Sequence, residues 1–234
     1  MAMADAAVLI TGGAGGIGAA TTRKLLEMGY RVAVTGRDAG KLARLADQAM
    51  AGDALVTVSG DAADYADVQR AVQAVLDRFG RLDVVIANAG FNTFDTLPDG
   101  DPEGWRDMVL TNVLGPALLV KAALPALRES QGKIVLIGSE AGIMHRPGNM
   151  YSVTKWALTA FAENTRLLVA ADGVGVTMVA PGPVDTPFYA AREGGAPGGS
   201  ILTADTIADA VVWALTQPAG VDVNTIVVRP TGRV

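Results

Sequence analysis

Tyr151 and Lys155 stand four residues apart in Tyr151-Ser152-Val153-Thr154-Lys155. That spacing sets both on one face of a helix, with the ammonium one turn beyond the phenol. A free phenol ionises near pH ~10 and transfers protons poorly around neutrality. An adjacent cation favours the phenolate and lowers that value, which brings the hydroxyl into range for general acid–base work. Ser139 follows the apolar run Ile134-Val135-Leu136-Ile137-Gly138, so its hydroxyl is expected at the C-terminal end of a strand. Open α/β sheets bind their ligands at that edge. Alone, a Tyr-x-x-x-Lys pair is weak evidence, because a half-buried Tyr beside a solvated Lys fits the same pattern. A glycine-rich turn near the N-terminus changes the balance.

That turn is Thr11-Gly12-Gly13-Ala14-Gly15-Gly16-Ile17-Gly18, between the apolar Val8-Leu9-Ile10 and a helical pattern that Gly29 stops. Strand, glycine turn and helix make a phosphate site: glycines let the backbone approach, and the helix N-terminus supplies free N–H groups. Further strands are expected at Val32–Val34, Leu55–Val58, Leu82–Ile86, Ile134–Ile137, Val176–Val179 and Ile226–Val228, with helical patterns between them. Asp38, Asp64 and Asp101 stand where helices need N-caps, and Pro102 suits a first turn. Strands alternating with helices predict a doubly wound parallel sheet. No linker, repeat or low-complexity block interrupts the pattern, so residues 1–234 are expected to form a single domain. Arg192 to Ser200, rich in Gly, Ala and Pro, is expected to be a mobile loop.

Composition narrows the function classes. Half the residues are hydrophobic and 28 are glycine, against 5% aromatics, which suits a parallel sheet with tight turns. A net charge of −5 argues against nucleic acid or anionic membrane as a main partner. The absence of Cys excludes disulfides and thiolate metal sites, and one His leaves little for zinc, so no metal is expected. With no signal peptide and no run read as long enough to span a bilayer, a soluble cytoplasmic protein is expected.

Taken together, these motifs resemble the short-chain dehydrogenase/reductase family across essentially the whole chain. The family's Thr-Gly-x-x-x-Gly-x-Gly is met by Thr11, Gly12, Gly16 and Gly18, and its Asn-Ala-Gly by Asn88, Ala89 and Gly90. Its catalytic Asn, Ser, Tyr and Lys fall on Asn112, Ser139, Tyr151 and Lys155, and its Pro-Gly after strand six on Pro181 and Gly182. The resemblance implies a Rossmann-type sheet of about seven strands, assembled into homotetramers or homodimers. It implies hydride transfer between NAD(P) and a small alcohol or carbonyl substrate, with Tyr151 as acid–base, Ser139 holding the substrate oxygen and Lys155 gripping the ribose. Cofactor contacts are implied at Gly12, Gly16, Ile17, Gly18, Arg37, Asp61, Ala62, Asn88, Ala89, Gly90, Tyr151, Lys155, Pro181, Gly182 and Thr186. Two departures stand out: Glu140 is charged where the family more often has a small or apolar residue, and the substrate loop near 187–202 is short. The alternative, a non-catalytic dinucleotide-sensing Rossmann protein, would typically lack the Tyr or Lys.

Cofactor preference is expected to be NADP over NAD. Gly36 ends strand two where NAD-preferring relatives carry an acid, and Arg37 follows, placed for a 2′-phosphate; against this, Gly15 occupies a position that many NADP-preferring relatives fill with a basic residue. Asp38 is expected to cap a helix rather than bind ribose. His145 is expected to be an exposed loop residue and Trp156 core or interface. The substrate is expected to be small and partly apolar, a hydroxy acid, ketone or simple alcohol, walled by some of Phe91, Met144, Met150, Phe188 and Tyr189. Finally, Pro116 has no N–H with which to bond the Asn112 carbonyl four residues back. In the family that carbonyl holds a water linked to the lysine, so Pro116 is expected to leave the relay site open.

Overall fold

The structure is a computed structural model that describes residues 5–232. β1 (Ala7–Thr11) is buried at every position, the signature of a strand covered on both faces. With β2 (Arg31–Gly36), β3 (Leu55–Ser59), β4 (Val84–Ala87), β5 (Lys133–Ile137), β6 (Gly175–Pro181) and β9 (Thr225–Val228) it forms a seven-stranded sheet, ordered β3-β2-β1-β4-β5-β6-β9. Every pairing is parallel, as between Leu9 and Ala33 or Ile86 and Val135. The expected Rossmann-type doubly wound sheet is therefore observed. The edge strands β3 and β9 are only part-buried, which is why they show more polar positions.

Six helical segments cover the two faces. α1 (Gly16–Glu27), α2 (Ala39–Ala49) and α7 (Ala204–Leu215) lie on one side, where Leu25, Leu42, Ile207 and Val211 meet Val8, Ile10, Val32 and Val34. α3 (Tyr65–Phe79), α6 (Met150–Val169) and a long helix from Pro102 to Ser130 lie on the other, where Val75, Leu119, Leu127 and Leu158 meet Leu9, Val85 and Leu136. The caps fall where the acidic residues announce them: Asp38 Oδ1 accepts from Lys41 N, Asp64 Oδ1 from Asp67 N, and Asp101 from Glu103 N and Gly104 N.

Three features differ from the sequence expectation. The long helix is α4 (Pro102–Val109), a π-turn (Leu110–Leu114) and α5 (Gly115–Ser130), with Gly115 N–H bonding Leu110 O five residues back. Its length and hydropathy match those of a bilayer-crossing helix, a run that the sequence reading did not count. Met108, Leu119, Ala123 and Leu127 nevertheless turn one face into the core. After β6, β7 (Val184–Asp185) and β8 (Leu202–Thr203) pair as a second, two-stranded parallel sheet, with a 3-10 turn at Pro187–Ala191 between them. Two-residue strands carry no periodicity to read.

The chain crosses from one side of β1 to the other between β3 and β4, so a crevice opens above the C-terminal ends of β1, β4 and β5. That crevice is the topological switch point at which such sheets bind ligands.

Candidate active site

Ser139 leaves β5 in extended conformation and its Oγ accepts from Ala141 N, starting a short 3-10 turn at Glu140–Gly142. α6 is stapled to this turn by two hydroxyls, Ser152 Oγ donating to Ala141 O (2.6 Å) and Thr159 Oγ1 to Gly142 O (2.9 Å). A Cβ on Gly142 would lie 2.5 Å from Lys155 O, so only glycine permits this approach. The staples bring Ser139 and Tyr151 together at the wall of one cleft, where Ser139 acts to lower the phenol pKa. Lys155 Nζ lies 5.7 Å from the centre of the Tyr151 ring and donates to Ile137 O (2.9 Å).

The electrostatics correct one expectation. Burial pushes the Tyr151 phenol well above its ordinary value, outweighing Ser139 and Arg146, which act the other way. Burial also brings the Lys155 ammonium down to about 8. Proximity of an ammonium to the ring is therefore not enough to lower the phenol in the protein alone. Desolvation, which sequence spacing does not reveal, dominates both groups.

Asn112 sits in the π-turn, 1% exposed. Its Oδ1 accepts from Phe91 N (3.0 Å), and its Nδ2 donates to Phe91 O (2.9 Å) and Thr154 Oγ1 (3.1 Å). The side chain thus ties the segment after β4 to α6. A Cβ on Gly90 would fall 3.0 Å from Asn112 Oδ1 and 3.7 Å from Lys155 Nζ, so Gly90 keeps that corner open. The helix changes register at this point, one residue before Pro116, whose missing N–H the sequence singled out.

A cleft of about 710 Å³ runs from the glycine turn to Tyr151. Gly12, Gly16, Ile17, Asn88, Ala89, Gly90, Ser139, Tyr151, Lys155, Pro181, Gly182 and Thr186 line it. A side cleft of about 300 Å³ opens beside it, lined by Arg37, Asp61 and Ala62 among others. Gly18 lines neither: a Cβ there would meet Gly12 O at 2.4 Å, so its part is helix–strand packing. Asn88 Nδ2 braces the turn by donating to Thr11 O and Gly12 O, both at 3.0 Å.

The turn fits a dinucleotide pyrophosphate. Gly15 starts α1 without any side-chain cap, no acid occupies the first turn, and a Cβ on Gly15 would meet nothing within 4 Å. First-turn N–H groups of an uncapped helix facing open space are an anion cradle.

Of the expected wall residues, Met144, Phe188 and Tyr189 line the main cleft, Phe91 lines the side cleft, and Met150 lines neither. Phe188 lies 5.8 Å from the Tyr151 ring and 5.5 Å from Phe94. Phe94 itself is held at φ +61° with its N–H on Asn92 Oδ1. His145 stacks on half-exposed Trp156 at 5.5 Å and lines neither cleft. Sequence reasoning missed Lys41, which borders both clefts, and Arg146 and Arg192, which border the main one. Lys41 was findable, one helical turn after Arg37 in the helix that Asp38 caps.

Fold and site together define an oxidoreductase of the Rossmann class. Residues 6–195 match the family model described as short chain dehydrogenase, and the chain belongs to the short-chain dehydrogenase/reductase family. An uncharacterized oxidoreductase of Staphylococcus epidermidis is 34% identical over 224 residues, covering 95% of this chain and 96% of that one. A Staphylococcus aureus protein of the same description is 34% identical over 230 residues, covering 97% and 98%. Among solved structures, an alcohol dehydrogenase from the archaeon Thermococcus sibiricus, complexed with 5-hydroxy-NADP, superposes with a TM-score of 0.89 at 30% identity over 98% of both chains. A 3-ketoacyl-(acyl-carrier-protein) reductase from Brucella melitensis, complexed with NADH, shares the fold with a TM-score of 0.87 at 24% identity, covering 97% of this chain and 98% of that one.

Proposed function

We propose that this enzyme is an NADP-dependent oxidoreductase acting on a small alcohol or carbonyl substrate, with Tyr151 as the general acid–base. The observation that carries the reading is Ser139 and Tyr151 lining one cleft, with Lys155 Nζ 5.7 Å from the Tyr151 ring, at the far end from the uncapped α1. When bound, the nicotinamide cofactor supplies or accepts the hydride. The glycine turn and the first turn of α1 would hold its pyrophosphate, and Thr186, which faces Gly16, would meet its nicotinamide end. Ser139 orients the substrate oxygen. Tyr151, protonated at neutral pH because burial disfavours its charge, donates its proton to that oxygen during reduction. Lys155 keeps positive charge behind the phenol and steadies the phenolate left behind. The Asn112 carbonyl, in a helix whose Pro116 has no N–H to offer it, holds a water through which Tyr151 is re-protonated.

Arg37 and Lys41 flank the side cleft, while the Asp38 carboxylate is engaged in capping α2. This supports NADP over NAD, as does the cofactor carried by the Thermococcus relative. A charged hydrogen bond is worth about 1.5–3 kcal/mol, so Arg37→Ala should weaken NADPH roughly ten- to 150-fold and leave NADH nearly unaffected. An unchanged NADPH/NADH ratio in kcat/KM would show the preference to be misassigned. The function itself is tested by NADPH absorbance in the presence of a panel of small ketones and aldehydes, where carbonyl-dependent loss is expected.

A further inference from the structure

Charged side chains along the main cleft have the wrong sign for this chain. The protein carries −5 overall, yet among the described residues the cleft is lined by Lys41, Arg146, Lys155 and Arg192 against a single carboxylate, Glu140. Lys41 stands at the end shared with the side cleft, and Lys155 lies behind Tyr151. Two guanidiniums remain. Arg146 lies between the Ser139 turn and α6, and Arg192 directly follows the 3-10 turn that carries Phe188 and Tyr189.

Glu140 does not cancel this charge. Its Oε1 accepts from Arg146 Nη2 at 2.6 Å, and its Oε2 lies 3.4 Å from Arg229 Nε. One carboxylate thus meets two guanidiniums and leaves the cluster positive. Its side chain is only 12% exposed, so Arg146 is held to a fixed wall. Arg192 makes no ion pair among the described residues; Nη1 donates to Gly195 O (2.7 Å), and other donors of its fork remain. Glu140, Arg146, Tyr189 and Arg192 line the same cleft as Tyr151, and Arg146 and Glu140 both act on the Tyr151 phenol. A concave site lined by one sign of charge concentrates ions of the other sign, and a guanidinium fork matches a carboxylate in shape and charge.

We infer that Arg146 and Arg192 form a receptor for a carboxylate on the substrate, so that the enzyme acts on small oxo acids and hydroxy acids. Glu140, the departure from the family pattern, is the residue that positions Arg146, and Arg229 keeps Glu140 from neutralising the receptor. This rests on the proposed oxidoreductase function and names its substrate class.

The test compares 2-, 3- and 4-oxopentanoate with their methyl esters under saturating NADPH, in wild type, Arg192→Gln, Arg146→Gln and Arg192→Lys. At least one acid should exceed its ester tenfold or more in kcat/KM. That acid-to-ester ratio should fall at least tenfold in each Gln variant, chiefly through KM, and recover in part in Arg192→Lys. Calorimetric titration of the preferred acid into the cofactor-saturated proteins should show the same order. If no acid outperforms its ester while neutral ketones or aldehydes are reduced, the receptor is wrong and the oxidoreductase reading stands. A ratio that survives both Gln substitutions while KM for NADPH rises would assign the arginines to the cofactor phosphates and overturn the receptor. If no carbonyl compound consumes NADPH, the underlying function falls, and the receptor with it.

Discussion

Lys155 shows how far a residue's surroundings can outweigh its intrinsic chemistry. Its side chain is buried among the segments that converge on Tyr151, and burial brings its ammonium down to about 8. In an unfolded chain a lysine titrates near ~10.4. Between these values the unfolded state binds more protons than the native state, so stability rises with pH through that window. The charged form is the costly one, and the cost is relieved as the native lysine loses its proton. Urea unfolding of the cofactor-free protein should therefore show wild type gaining on Lys155→Met from pH 8 to about pH 10. A flat or falling difference would mean the ammonium is not desolvated. The residue types and spacing of Ser139, Tyr151 and Lys155 were legible in the sequence. Their electrostatics were not, because desolvation depends on which segments close over a group.

At the scale of elements, the strands, the helices and most caps could be read from apolar runs and acidic N-cap positions. Three things could not. The π-turn at Leu110–Leu114 arises from a register change that periodicity blurs. The pairing of β7 with β8 joins two-residue segments separated by a Gly- and Pro-rich stretch. Arg146 and Arg192 lie on irregular segments whose fold no pattern specifies, which is why the cleft's charge stayed hidden. The helices also leave large apolar side chains exposed. Val109 and Leu114 on the long helix and Val153 and Trp156 on α6 are exposed, so Trp156, expected in the core or at an interface, does not lie in the core. We propose that this face joins copies into a homodimer or homotetramer. Light scattering should then give two or four times 24.0 kDa, with Val153→Glu shifting the mass towards one chain. A monomeric wild type would contradict the assembly.

For the whole molecule, the sheet acts as a rigid frame that brings distant parts of the sequence to one edge. The glycine turn after β1, the brace after β4, Ser139 after β5 and Pro181–Gly182 at the end of β6 all reach the same cleft. Its two ends differ in kind: an uncapped helix N-terminus for phosphate, and a hydroxyl pair walled by aromatics and arginines. Each half alone has bland explanations, but one cleft joining them is what a hydride-transfer enzyme requires. We propose that Tyr151 moves the proton in that reaction. Single-turnover reduction of a small carbonyl substrate by NADPH, compared in wild type and Tyr151→Phe, tests it most directly. A positioned acid–base group contributes about 10²–10⁴-fold, so the variant should bind NADPH normally by fluorescence and reduce the substrate slower by a factor of that order. A Tyr151→Phe enzyme with an undiminished hydride-transfer rate would rule Tyr151 out as the proton donor.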